Sequence, residues 1–199
     1  MSCQSIRGLT MATIAFVALA AASAVQAAPI TFQAVLDGPS ENPPNASPGT
    51  GNATVVFDIV AHTMEVSVSF SGLLGNTTAA HIHCCTTPLV NVSPATTTPT
   101  FPGFPLGVTA GVYSQLFDTA LASSYNASFV TLHGSVAAAE AALFAGLQAS
   151  QAYFNIHSNV FAGGEIRGFL TQVPEPATLG LVLLGLAGLG ISARRHTAG

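Results

Sequence analysis

Through the middle of the chain, apolar and polar residues alternate, and the period of alternation predicts the elements. Residues 30–36, Ile-Thr-Phe-Gln-Ala-Val-Leu, put Ile30, Phe32, Ala34 and Leu36 on one side of an extended backbone, since successive side chains of a strand point to opposite faces. Residues 53–59 and 64–70 repeat that pattern, with His62 and Thr63 at their connection, and are predicted to form an antiparallel hairpin. Between them and the first strand, Asp37-Gly38-Pro39-Ser40-Glu41-Asn42-Pro43-Pro44 makes a turn and loop, because proline removes ladder donors and glycine opens the backbone dihedrals. Another strand is predicted to begin at 80–82, after the turn Gly75-Asn76-Thr77-Thr78. Pro88, Pro94, Pro99, Pro102 and Pro105, with the run Thr96-Thr97-Thr98, make 88–105 a long loop. Residues 108–117 and 128–133 are the next predicted strands.

The period then changes. Val136, Ala139, Leu143 and Leu147 recur at helical spacing, interrupted by Glu140 and Gln148, which predicts an Ala-rich helix resting one side on the sheet. Tyr153, Asn155 and His157 alternate with Phe154, Ile156 and Ser158 as a strand does, and Gly163-Gly164 turns the chain into a last strand over 165–170. Many strands and one short helix predict a mostly β fold, an antiparallel β-sandwich or partly open barrel.

Both ends break the alternation with continuous apolar runs. Arg7 precedes the run from 9 to 22, and Val25-Gln26-Ala27 supplies small residues at a cleavage position, the three parts of a secretory signal. Cleavage is expected after Ala27, with Ala28 the neighbouring choice. At the other end Pro174-Glu175-Pro176 is followed by an apolar run over 177–193 and then by Arg194-Arg195. At about 1.5 Å rise per residue the run reaches roughly 26 Å, the short end of a membrane span, and the arginine pair favours retention on the cytoplasmic side. The expected organisation is a signal peptide over 1–27, a β domain over 28–172 and a sorting and membrane-retention tail over 173–199.

Charge narrows the partners. The 199 residues are 49% hydrophobic and 6% charged, and the four arginines, Arg7, Arg167, Arg194 and Arg195, are the entire cationic complement. Nucleic acid and anionic lipid both need positive charge spread over several contacts, so neither is an expected partner. No G-x-S-x-G elbow, phosphate-cradling loop or H-E-x-x-H helix occurs, which removes the most recognisable hydrolase and nucleotide-binding classes.

The residues with chemistry are few. If His81-Ile82-His83 is extended, its two imidazoles share a strand face, and His157 is the natural third nitrogen. Glu165 could add an oxygen or orient a ligand histidine, and zinc or copper suits such a set. The competing reading is a structural polar network. Arg167 and Glu165, two apart in the last strand, are the expected structural ion pair, with Asp58 and Asp118 as other carboxylates for Arg167. Cys84 and Cys85 are adjacent in an oxidising compartment and are candidates for a disulfide; direct pairing would close a very small, strained ring, while a bond between protomers would give a disulfide-linked homo-oligomer, and that bond or free thiols rank ahead of metal ligation.

Phe32, Ala34, Leu36, Gly38, Glu41 and Pro43-Pro44, then Ala80-His81-Ile82-His83, then Tyr153-Phe154-Asn155-Ile156-His157 with Gly164-Glu165-Ile166-Arg167-Gly168, resemble in order the opening, central and closing motifs of the CHRD domain. The resemblance spans 30–170 and implies a compact extracytoplasmic β domain, without a settled activity or cofactor. Cys84-Cys85 and the Thr/Pro-rich insertion at 93–105 depart from the family pattern. Residues 173–195 resemble the PEP-CTERM sorting tail of Gram-negative envelope proteins, which implies recognition by an exosortase-type enzyme and export to the cell envelope, surface or extracellular matrix. The leading expectation is a non-enzymatic envelope or matrix protein of adhesion or assembly. The alternative is a metal-binding oxidoreductase of superoxide-dismutase-like chemistry using His81, His83 and His157; it demands imidazole nitrogens that converge, whereas the first expects no preformed site around those rings.

Overall fold

The computed structural model describes residues 28–174. The run ahead of Ala27 and the tail residues Glu175, Pro176, Arg194 and Arg195 lie outside the described residues; Pro174 is exposed at their end.

The strands are β1 (Ile30–Asp37), β2 (Thr50–Asp58), β3 (Thr63–Ser71), β4 (Thr77–Cys84), β5 (Gly111–Asp118), β6 (Ala152–Ser158), β7 (Ile166–Phe169) and β8 (Thr171–Gln172). They form one eight-stranded sheet in the order β4-β6-β7-β1-β2-β3-β5, with β8 pairing β1 beside β7. Every pairing is antiparallel. The fold is a half-barrel, the partly open form of the expected architecture. The predicted hairpin is β2–β3, in register from Thr50↔Ser71 to Asp58↔Thr63. Asp58 Oδ1 accepts from the Val60 and Ala61 amides at its turn.

Two helices lie between β5 and β6 where one was expected. Residues 128–133, predicted as a strand, belong to α1 (Ala127–His133). The Asn126 side chain accepts from the Ser128 amide and Gly134 closes the helix at φ 85°; an N-cap and a left-handed C-terminal glycine outweigh the β preference of Phe129, Val130 and Thr131. Ser135 caps α2 (Val136–Gln148) through the Ala138 amide, and this helix matches its prediction closely. Leu143 and Leu147 carry it into the core, while buried Glu140 bonds to His62 and to Thr119, tying the helix to the end of the β2–β3 hairpin. No single helix among the described residues is long and apolar enough to cross a membrane; α1 and α2 together pass by composition but bend by 95°, and their buried side chains belong to the domain core.

One face of the sheet holds the core. Phe32 and Leu36 of β1, Val55 and Phe57 of β2, Met64 and Val66 of β3, Ile82 of β4 and Phe154 and Ile156 of β6 are fully buried there. The Pro-rich loop after β4 is a loop as expected, and it has a structural task. The Ala95 and Phe101 amides donate to the Ile82 and Ala80 carbonyls, sealing the outer edge of β4, while Phe101 packs against Phe117, Tyr113 and Phe154.

Candidate metal centre

Because the even-numbered residues of β4 and β6 face the core, their odd-numbered residues face the other side. In β1, β2, β3 and β5 that other side is mainly half-buried or exposed; in β6 every residue but His157 is buried. The covering is made by the β1–β2 loop and the segment after Cys84, which are bonded to each other by Asn42 Nδ2 to the Leu89 carbonyl and Asn91 Nδ2 to the Asn42 carbonyl, both 2.7 Å. Beneath it stand His81 and His83 of β4, Tyr153, Asn155 and His157 of β6, and Arg167 of β7. The ladder sets His83 opposite Tyr153, His81 opposite Asn155 and Ala79 opposite His157, with Arg167 beyond Asn155.

The three histidines converge. Their ring centroids are 5.3, 5.6 and 5.8 Å apart, and one nitrogen of each lies within 4.8 Å of the other two. Each imidazole donates its other nitrogen to a backbone carbonyl: His81 Nε2 to Pro99 (2.7 Å), His83 Nδ1 to Val92 (2.7 Å) and His157 Nδ1 to Ala162 (3.0 Å). A carbonyl can only accept, so each bonded nitrogen carries the hydrogen and the remaining nitrogen of a neutral ring carries a lone pair. Those remaining atoms, His81 Nδ1, His83 Nε2 and His157 Nε2, are buried without a partner. Burial and the proximity of His157 hold His81 down to about 4; burial, with His157, His81 and Arg167 adding to it, outweighs the Val92 carbonyl and holds His83 down to about 3. Burial also lowers His157. The rings are therefore neutral at pH 7, the state in which imidazole binds a metal.

Arg167 anchors the other side of the site. Its Nε donates to the Ser40 carbonyl and its Nη1 to Asn91 Oδ1 at 2.8 Å. Its guanidinium lies over the Tyr153 ring, 4.9 Å from the centroid, and that ring stacks on His83 at 4.8 Å and 5°. The carboxylate beside it is Glu41, at 3.8 Å, not the expected Glu165. Glu165 turns away and accepts from Ser47 Oγ (2.6 Å) and from the Leu74 (2.5 Å) and Gly75 (3.1 Å) amides; burial works to raise it, but these bonds and one from Ser158 win and lower it. It lies outside the histidine cluster. Glu41 is the opposite case, because burial raises it to about 7 against the pull of Arg167 and the Asn42 amide, and its Oε1 has no partner. Gly164, at φ 134°, makes room here, as a Cβ would meet both Glu41 Oε1 and Asn155 at 2.5 Å.

Cys84 and Cys85 are joined to each other. A bond between protomers would require those same sulfurs, so the expected intermolecular link is replaced by an intramolecular one. Both sulfurs pack on Gly146 of α2, where a Cβ would collide with them. The three histidines named from the sequence lie together, with Arg167 on the far side of the Tyr153 ring that stacks on His83; Glu41 as the neighbour of Arg167 and the loop carbonyls that fix the rings were not foreseen. Glu41 carried one usable signal, a lone carboxylate between prolines in a loop.

An antiparallel half-barrel with a loop-covered polar face and a trio of neutral imidazoles, two buried and one half-buried, defines a small β domain with a preformed nitrogen site. The CHRD domain family matches residues 32–170, and the chain belongs to that family. The PEP-CTERM protein-sorting motif matches residues 172–195; it implies processing by an exosortase-type enzyme, and with the domain it supports export to the cell envelope or surface. No curated protein and no solved structure gives a significant match to the chain.

Proposed function

We propose that this is an exported envelope or matrix protein whose β domain, residues 28–172, binds one zinc or copper ion through His81, His83 and His157, with 1–27 as its secretory signal and 173–199 as its sorting and retention tail. The observation that carries this reading is the trio of buried, partnerless imidazole nitrogens aimed at one another. A structural network would have used those lone pairs, because a buried polar atom left unpaired costs roughly 1–3 kcal/mol. Three are left so within one cluster, and their outer nitrogens are pinned by carbonyls as the ligands of metal sites are.

In this reading His81 and His83 hold the ion from β4, His157 holds it from β6, and the Val92, Pro99 and Ala162 carbonyls fix the tautomers. Tyr153 packs along the His83 ring and excludes water from that side. A bound zinc ion supplies a Lewis acid and a copper ion an electron-exchanging centre. The other residues of a two-metal dismutase set have no counterpart in the cluster among the described residues. The test is metal analysis of the purified protein beside a His81→Ala/His83→Ala variant. Stoichiometric metal in the first and none in the second, with the circular dichroism unchanged, supports the site; no metal in the first after reconstitution with zinc and copper overturns it.

Assembly is a second reading with its own observation. β5 ends the sheet, pairs only with β3, and exposes Val112 (79%) and Leu116 (61%) on its outer face. A second copy pairing antiparallel along this edge in the register centred on Ser114 would set Val112 of one chain opposite Leu116 of the other.

A further inference from the structure

We infer that the ion this site selects is monovalent copper. The inference rests on the proposed metal site and adds the identity and charge of its occupant.

The donors are three and all are neutral. No carboxylate or thiolate joins the cluster among the described residues: Glu165 is engaged by Ser47, Leu74 and Gly75, and the sulfurs of Cys84 and Cys85 are bonded to each other. The second layer is neutral as well. Metal-bound histidines commonly give their outer N–H to a carboxylate, which feeds negative charge toward the ion; here all three give it to backbone carbonyls. Asn155, opposite His81 on the ladder, offers an amide. The charged side chains nearest the cluster are the Arg167 guanidinium, against the far partner of the His83 stack, and the Glu41 carboxyl 3.8 Å beyond it.

An ion entering this pocket gives up its water in a place where His81 and His83 are each 6% exposed and receives no negative charge from its three ligands. Both the desolvation cost and the repulsion from Arg167 rise with the charge of the ion, so a divalent cation is penalised more than a monovalent one. Coordination number points the same way. The nearly equilateral triangle of rings, 5.3 to 5.8 Å on a side, is a trigonal cradle that three-coordinate copper(I) fills. Zinc held by three protein ligands keeps a fourth position for water or substrate, and no fourth histidine, cysteine or carboxylate joins the cluster among the described residues to complete a tetrahedron. Imidazole is a ligand for copper as well as for zinc.

The test is a three-way titration of the purified protein, with copper(I) supplied anaerobically as its acetonitrile complex so that no thiol reductant opens the Cys84–Cys85 bond. Copper(I) is competed against bicinchoninate, zinc against a chromophoric chelator, and the reduction potential of the bound copper is measured. Expected are one copper(I) per chain, zinc held at least a hundredfold more weakly, a potential above that of the aqueous copper couple, and at least a hundredfold loss of copper(I) affinity in His83→Ala. Tighter binding of zinc, or a potential below the aqueous couple, overturns copper(I) and leaves the three-histidine site standing. Failure of the protein to bind either metal, or binding unchanged in His83→Ala, removes the site and the inference together.

Discussion

The two halves of the sheet solve different problems with the same backbone. In β2 and β3 the core face is Val, Phe and Met while the outer face, with Thr54, Glu65, Ser67 and Ser69, is left half-buried or open, the ordinary arrangement of an antiparallel sheet with one wet side. In β4, β6 and β7 the core face is just as apolar, but the outer face is His, Tyr, Asn and Arg under a lid of loops. All five buried side-chain atoms without a partner among the described residues, Glu41 Oε1, His81 Nδ1, His83 Nε2, Asn155 Oδ1 and His157 Nε2, lie in that second half. Burying polar groups unpaired is costly, and a fold with an open alternative on its other half has no structural need to do so. That difference is the contrast on which the proposed metal site rests.

The sharpest way to break that contrast is to remove the proposed ligands. His81→Ala/His83→Ala is expected to abolish stoichiometric metal binding, whereas Ser67→Ala/Ser114→Ala, which deletes an exposed 3.0 Å hydroxyl pair on the open half, is expected to leave it intact; metal analysis of both reads the result. Next in size is Arg167→Ala. It removes the donor to the Ser40 carbonyl and to Asn91 Oδ1, and each buried acceptor left unpaired costs about 1–3 kcal/mol, measurable as a lower urea midpoint. Arg167→Lys should recover only part of this, since it keeps the charge and loses the planar fork.

A smaller effect separates the two buried glutamates. Glu41 titrates near 7 in the fold against 4.5 in its reference state, so between those values the unfolded chain ionises first and stability falls as pH rises, levelling off above 7. Glu41→Gln should therefore be more stable than the parent at pH 8, by on the order of 1–3 kcal/mol, and close to it at pH 4. Glu165 is lowered, so its contribution is present above its unfolded value and is lost as pH falls through the folded one; Glu165→Gln should lose stability at neutral pH and flatten the acid limb. Urea midpoints across pH 3–8 distinguish the pair, and parallel curves for both variants would refute the assignment.

Legibility in the sequence followed the same divide. The open half could be read from alternation alone, and β1, β2, β3 and the helix over 136–147 match their predictions within a few residues. The covered half was legible in its histidines, because His81, His83 and His157 sit at odd positions of strands whose even positions are apolar. It was not legible in what holds them. Pro99, Val92 and Ala162 contribute carbonyl oxygens, which carry no residue identity, and Glu41 meets Arg167 from a loop far away in sequence. Residues 128–133 misled for a local reason: a helix of seven residues is too short to show its period, and its caps were the only signal.

The smallest expected effect concerns the two edges of the sheet. The β4 edge is sealed by the amides of Ala95 and Phe101, while the β5 edge pairs with nothing beyond β3. An unpaired edge is a template for another strand, and natural sheets usually guard it with lysine, proline or a bulge; β5 reads Gly-Val-Tyr-Ser-Gln-Leu-Phe-Asp and has none of these guards within it. Val112→Lys/Leu116→Lys changes two exposed side chains and should shift stability by no more than about 0.5 kcal/mol, since neither position contributes to the core. If β5 joins two chains, the same variant places lysines opposite one another across the edge and should convert a dimer to a monomer in light scattering at unchanged urea midpoint. A parent protein that is monomeric at high concentration would show that the bare edge is tolerated without a partner.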